Sequence, residues 1–129
     1  MRREPPTDNA AADNGGDAVP SVVEALRAAL LPLGVSIDAA FIYGAFVNGA
    51  ATADSAIDLL IIGSGIAYAD VIPLLIMAAR RIGRGVNPSV YSADELTRKL
   101  AGGNRLVRAV LTQRKIFVIG SADRIPQPR

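Results

Sequence analysis

A chain of 129 residues, half of them apolar, has room for one ordinary domain with a real core. Fourteen Lys and Arg against twelve Asp and Glu leave a net charge of +2, too small by itself to argue nucleic-acid binding. With no Cys, no His and no Trp, disulfide frameworks, Cys/His zinc sites, thiolate nucleophiles and Ser-His-Asp triads are all excluded.

Any polar chemistry at neutral pH must then rest on carboxylates, Lys, Arg, Tyr or a metal held by oxygen ligands. Three Phe and three Tyr are too few for a base-stacking surface. No uncharged apolar run approaches the roughly eighteen residues of a membrane span. The longest, Val71 to Ala79, is interrupted by Pro73. The start, Met1-Arg2-Arg3-Glu4-Pro5-Pro6, leads into no apolar stretch, so it does not read as a secretory leader. The absence of Cys suits a reducing compartment, and a cytoplasmic location is expected.

Residues 1–20 are rich in Pro, Asp, Asn, Gly and Ala and cannot bury enough surface to offset their ordering entropy. A disordered tail is expected there. Ser21-Val22-Val23-Glu24 has the form of a capping box, and Val22, Val23, Leu26, Ala29, Leu30 and Leu33 follow at helical spacing. Ala39 to Tyr43 predicts a strand halted by Gly44. A Gly/Ala/Asn-rich connection leads to a second strand, Ile57 to Ile62, apolar enough to be covered on both faces. Asp70 is the expected cap of a helix over 71–82, with Pro73 in its first turn. Val86 to Tyr91 predicts a third strand. Ser92-Ala93-Asp94-Glu95 is a second capping box, and Asn104 caps a further helix to about Leu111. Lys115 to Ile119 is the last strand, and 121–129 reads as a loose tail. The order predicts an α/β (α+β) domain over 21–120, with a small mixed sheet of about four strands flanked by helices.

Residues 41–63, Phe-Ile-Tyr-Gly-Ala-Phe-Val-Asn-Gly-Ala-Ala-Thr-Ala-Asp-Ser-Ala-Ile-Asp-Leu-Leu-Ile-Ile-Gly, carry a family resemblance. The segment resembles the signature of the polymerase-β-type nucleotidyltransferases in their minimal bacterial form. There, a strand ending in Gly-Ser is followed by a short helix and by a second strand opening Ser-Asp-x-Asp-Leu. Gly83 to Ser92, Gly102-Gly103-Asn104 and Lys115 to Gly120 extend the resemblance over about residues 21–120. It implies the nucleotidyltransferase fold, triphosphate binding at the Gly-Ser turn, and Mg²⁺ held by the Asp pair and a third carboxylate. Two Asp at i and i+2 share one face of a strand, which is why the spacing matters.

The sequence departs from that pattern where the chemistry lies. Gly44 is kept, but Ala45 replaces Ser. Asn48, before Gly49, replaces the usual basic residue of the short helix. Ala56 stands at the first Asp, and Asp58 alone remains of the pair. The third carboxylate falls at Asn87. Asp54 shares parity with Asp58 but lies roughly 13 Å away along an extended strand, too far to share a Mg²⁺. The resemblance therefore implies a catalytically degenerate domain acting by binding. Its nucleotide-binding remnant would be Gly44, Ala45, Asn48 and Gly49, its metal remnant Asp58, and Mg²⁺ its cofactor if activity or nucleotide binding persists. The alternatives are an active Mg²⁺-dependent nucleotidyltransferase acting on a protein, small-molecule or nucleic-acid acceptor, and a ligand-free interaction module. Asp58 is either a residual metal or nucleotide contact or a strand-end carboxylate satisfied by backbone N–H groups.

Charge is unevenly spread. No basic residue occurs from Ala28 to Ala79, whereas nine occur from Arg80 to Lys115. If Arg80, Arg81, Arg84, Arg105 and Arg108 share a face, they form a site for an acidic or nucleic-acid partner. Otherwise, such residues complement helix C-termini. The helix over 71–82 is apolar all round for its first two turns. It is expected either to form a homodimer interface through Val71, Leu74, Leu75 and Met77, or to lie beneath another segment.

Overall fold

The computed structural model describes residues 15–52 and 54–127, with side chains described from Val19 onward. Helix α1 runs Gly15–Leu30 and continues as a 3-10 turn, Leu31–Ser36. Strand β1 (Ile37–Tyr43), the one-turn helix α2 (Ala45–Asn48) and strand β2 (Ile57–Gly63) follow. Next come α3 (Tyr68–Ile82), β3 (Val86–Tyr91), α4 (Ala93–Ala101), α5 (Arg105–Thr112) and β4 (Ile116–Ile119). A 3-10 turn at Ala122–Arg124 precedes the last described residues.

The four strands form one mixed sheet in the order β3-β2-β1-β4. β1 is antiparallel to both β2 and β4, while β2 and β3 are parallel, as a β-α-β unit requires. The architecture is the expected α+β domain with a small mixed sheet flanked by helices. Alternation along the strands sends side chains to two separate cores. Ala40, Ile42, Leu59 and Ile61 meet Leu26 and Leu30 of α1 and Val71 and Leu75 of α3. Ala39, Phe41, Leu60 and Ile62 meet Leu96 of α4 and Val107, Val110 and Leu111 of α5. Both central strands are thus covered on each face, which explains their unbroken apolar runs. Pro88 lies on β3, an edge strand, where a missing N–H need not break a ladder.

The caps at Ser92 and Asn104 form as predicted. Ser92 Oγ accepts from Glu95 N at 3.1 Å, and the Glu95 carboxylate accepts from Ser92 N at 3.0 Å. Asn104 Oδ1 accepts from Val107 N at 2.9 Å. Each such bond satisfies an otherwise orphaned helix N–H, contributing about 1 kcal/mol.

Three expectations need correction. Helix α1 begins before Pro20, so Ser21 and Glu24 lie inside the helix instead of opening it. Pro20 removes one internal N–H donor without stopping the helix around it. The disordered reading of 1–20 fails at 15–20, and residues 1–14 lie outside the described residues. Second, α3 begins at Tyr68. Asp70 is its third residue and accepts from Ala67 N at 2.9 Å, so it caps from inside the first turn. Pro73 falls beyond that turn. Third, the tail is not loose throughout. Ile125 is 8% exposed and packs into the core under α4 and α5.

Val19–Ser36 is long and apolar enough, by length and composition, to cross a membrane. Unlike an uncharged run, it carries Glu24 and Arg27 on its outer side. Its Val22, Ala25, Leu26 and Leu30 are buried. That pattern is the one an amphipathic core helix shows.

Candidate functional site

β1 ends at Tyr43, whose register partner on β2 is Asp58, and Asp58 is in turn opposite Asn87 on β3. Three adjacent strands therefore place Tyr43, Asp58 and Asn87 in one row. Parity puts them on the α4/α5 face, at the edge of that core. Asp58 is half-buried, and its Oδ1 accepts from Asn87 Nδ2 at 3.2 Å. The carboxylate thus has a cross-strand amide as partner, where the sequence left a metal or nucleotide contact and a backbone-satisfied carboxylate both open.

Gly44 sits directly above this pair. Its φ of 79° and ψ of −146° belong to a region open essentially to Gly alone. A Cβ there would lie 2.8 Å from Asp58 Oδ2, so the carboxylate occupies space that only Gly leaves free. The Gly44 N–H donates to Gln113 Oε1 at 3.0 Å, across 69 residues of sequence. The strand-ending turn thus presents its N–H to a side-chain amide oxygen from the end of α5. Nothing local in the sequence marks Gln113 for this role.

The remaining expected positions spread out. Ala45 is half-buried, Asn48 and Gly49 are exposed at the end of α2, and Ala56 is exposed just before β2. Asp54 is exposed in a turn between Thr52 and Ser55, pinned by Thr52 N donating to Ser55 Oγ at 2.9 Å. The structure joins Gly44, Asp58 and Asn87 and adds Tyr43, Ser89 and Gln113, which the motif did not indicate.

The donor set can be tested against Mg²⁺. This ion takes carboxylate and phosphate oxygens in near-octahedral geometry and dehydrates reluctantly. Here Asp58 offers one carboxylate, Ala56 none, and Asn87 turns its amide donor toward Asp58. Among the described residues no three acidic side chains gather. A carboxylate-built two-metal site does not fit this arrangement.

Burial pushes the Tyr43 phenol above its ordinary range. A hydrogen bond with Ser89 opposes the shift, while Asp58 and Tyr91 add to it. In the unfolded chain the phenol ionises near pH 10. Between that pH and the higher folded value, the unfolded state holds fewer protons. Stability must therefore fall as pH rises through this window. Urea unfolding of Tyr43→Phe should lose part of the alkaline decline seen in the parent. An identical slope in both proteins would remove Tyr43 as its source.

The basic residues do not form one patch. Arg80 and Arg81 end α3, in the layer on one face of the sheet, whereas Arg105 and Arg108 lie on α5, in the layer on the other. Arg84 is folded over the Phe46 ring at 5.6 Å, with Nη1 buried and lacking a hydrogen-bond partner. α3 and α5 pack on opposite faces of the sheet, so these arginines belong to two layers. Lys115 is also turned inward. Its Nζ donates to the carbonyls of Leu111 and Gln113 and lies 5.3 Å from the Phe41 ring centre. Burial lowers its pKa.

A cavity of about 630 Å³ lies elsewhere, lined by Thr97, Leu100, Ala101, Gly103, Arg108, Pro126 and Gln127. None of Gly44, Asp58 or Asn87 lines it.

No family model matches the sequence, and no curated protein matches it. Among solved structures, a Sulfolobus solfataricus protein provisionally assigned as a nucleotidyltransferase is similar, with 21% identity and a TM-score of 0.40. The match covers 66% of this chain and 82% of that one.

Proposed function

We propose that this chain is a nucleotidyltransferase-like domain that acts by binding, in a regulatory or assembly role, and not by nucleotidyl transfer. The observation that carries the reading is the Asp58–Asn87 pair. At the register where the resembling family needs clustered carboxylates, a carboxylate meets an amide at 3.2 Å. One carboxylate and one amide are a poor replacement for a two-metal donor set. Ala45 also lacks the hydroxyl that the Gly-Ser turn would offer to a phosphate. We place the protein in the cytoplasm, where a chain without Cys is at no disadvantage. An acidic partner would meet either the α3 end or the α5 face, since the two basic groups are separate.

Calorimetric titration with Mg²⁺-ATP and the other Mg²⁺-NTPs tests the binding role. Incubation with labelled NTPs and cell extract tests transfer. The proposal expects no transferred label. Label whose transfer is abolished by Asp58→Asn would overturn it. A specific observation favours a second reading, the ligand-free module. The Gly44 N–H is already satisfied by Gln113. On that reading NTP binding is undetectable in the parent and in Gln113→Ala alike. Heat that appears only in Gln113→Ala would instead identify Gln113 as a plug over a remnant nucleotide site.

A further inference from the structure

Of the four α3 residues expected at a subunit contact, two are buried. Val71 and Leu75 are 0% and 2% exposed and belong to the core, so they cannot meet a partner. Leu74 is half-buried, and Met77 is exposed. The outer side of α3 is a different set. Ala69, Pro73, Ile76, Met77 and Arg80 are all exposed, at i, i+4, i+7, i+8 and i+11, a stripe along one helix face. Tyr68, Ile76 and Met77 expose 55%, 49% and 69% of their surface. A lone helix in water normally turns such a stripe inward.

The stripe is bounded by opposite charges. Asp70 stands in the first turn of α3, and Arg80 and Arg81 in the last. Neither Arg has an ion-pair partner among the described residues. The spacing is symmetric about Leu75. Pro73 and Met77 lie two residues to either side, and Asp70 and Arg80 five to either side. An antiparallel crossing of two such helices at that level sets Pro73 against Met77 of a second copy. It also sets Asp70 against Arg80 of the second copy, with Arg81 alongside, about 7–8 Å along the axis from the crossing. A parallel crossing would place Asp on Asp and Arg on Arg. Only the antiparallel arrangement pairs opposite charges, and a two-fold axis perpendicular to the helices generates it.

We propose that the outer face of α3 is the interface of a two-fold homodimer, apolar at Pro73, Ile76 and Met77 and closed at each end by Asp70 facing Arg80 and Arg81 of the other copy. The contact does not depend on the functional reading of Asp58. Light scattering of the full chain from micromolar to millimolar concentration should show twice the 13.4 kDa chain mass. Met77→Glu should raise the dissociation constant about tenfold or more, because it buries a charge at the centre of the contact. Asp70→Arg and the pair Arg80→Asp/Arg81→Asp should each weaken association. Combining all three should restore it, since the swap recreates opposite charges across the axis. Circular dichroism checks that each variant is folded, which matters for Asp70 because it also caps α3. A 13.4 kDa species at millimolar concentration overturns the proposal. So does a dimer indifferent to Met77→Glu, or a charge swap in folded protein that fails to restore association.

Discussion

Phe41→Ala is expected to lower the unfolding free energy by about 3–5 kcal/mol, a large share of the roughly 5–15 kcal/mol that holds a domain together. Phe41 is fully buried at the middle of β1, opposite Leu60 on one side and Phe117 on the other. Its ring meets those of Tyr43 and Phe117 edge-on, at centroid distances of 6.1 and 5.7 Å. The Lys115 ammonium lies over its face. Removing the ring takes apolar contact from the whole core beneath α4 and α5 and leaves Lys115 without its aromatic neighbour. Backbone on both sides of β1 limits how far the space can collapse. Urea denaturation of the variant checks the figure. A loss under about 1.5 kcal/mol would mean that this core repacks freely and that Phe41 is not its centre.

The second large effect concerns metal binding. Restoring acids at Ala56 and Asn87 should create a response to Mg²⁺ that the parent lacks. Asn87→Asp turns a 3.2 Å amide–carboxylate hydrogen bond into two facing carboxylates. Without metal, repulsion or forced protonation should destabilise the fold by about 1–3 kcal/mol. Ala56→Asp adds a carboxylate on the same side of the chain as Asp58. With all three acids, Mg²⁺ should recover the lost stability. The linkage gain is about 2.7 kcal/mol once free Mg²⁺ reaches a hundred times its dissociation constant. Thermal unfolding against MgCl₂ concentration reads this directly for parent and double variant. If the double variant is as stable as the parent and ignores Mg²⁺, the three positions do not converge, and the degenerate-site reading loses its geometric basis.

The strands were readable because burial on two faces leaves no room for polar residues along Leu59 to Ile62. The caps at Ser92 and Asn104 were readable because a cap is a local hydrogen bond between near neighbours in sequence. The start of α1 was not. Pro20 followed by a capping-box pattern looks like a boundary, yet the helix continues through both. Ile125 gave no periodic signal, being a single apolar residue between Arg124 and Pro126. Its burial comes entirely from tertiary packing. Val71 and Leu75 were expected on an outer face because an all-apolar turn hides which side faces the sheet. Only the fold separates Val71 and Leu75 from Pro73 and Met77. At the candidate site, the motif spacing located Gly44, Asp58 and Asn87. Gln113 could not be anticipated, because its bond to Gly44 spans most of the domain.

β1 holds the centre of the sheet between one near neighbour and one remote one. Its pairing with β2 closes over a short stretch of chain, whereas Ala40 must wait for Ile119. As the chain leaves the ribosome, the β1-β2-β3 portion is complete while the far edge of β1 stands open, with Phe41 and Ile42 on it. An open, apolar edge is a template for pairing with any other extended chain. The last strand therefore serves as the seal on a surface that would otherwise recruit a second nascent copy. The longest-range strand pairing in the fold is therefore the one that closes this apolar edge.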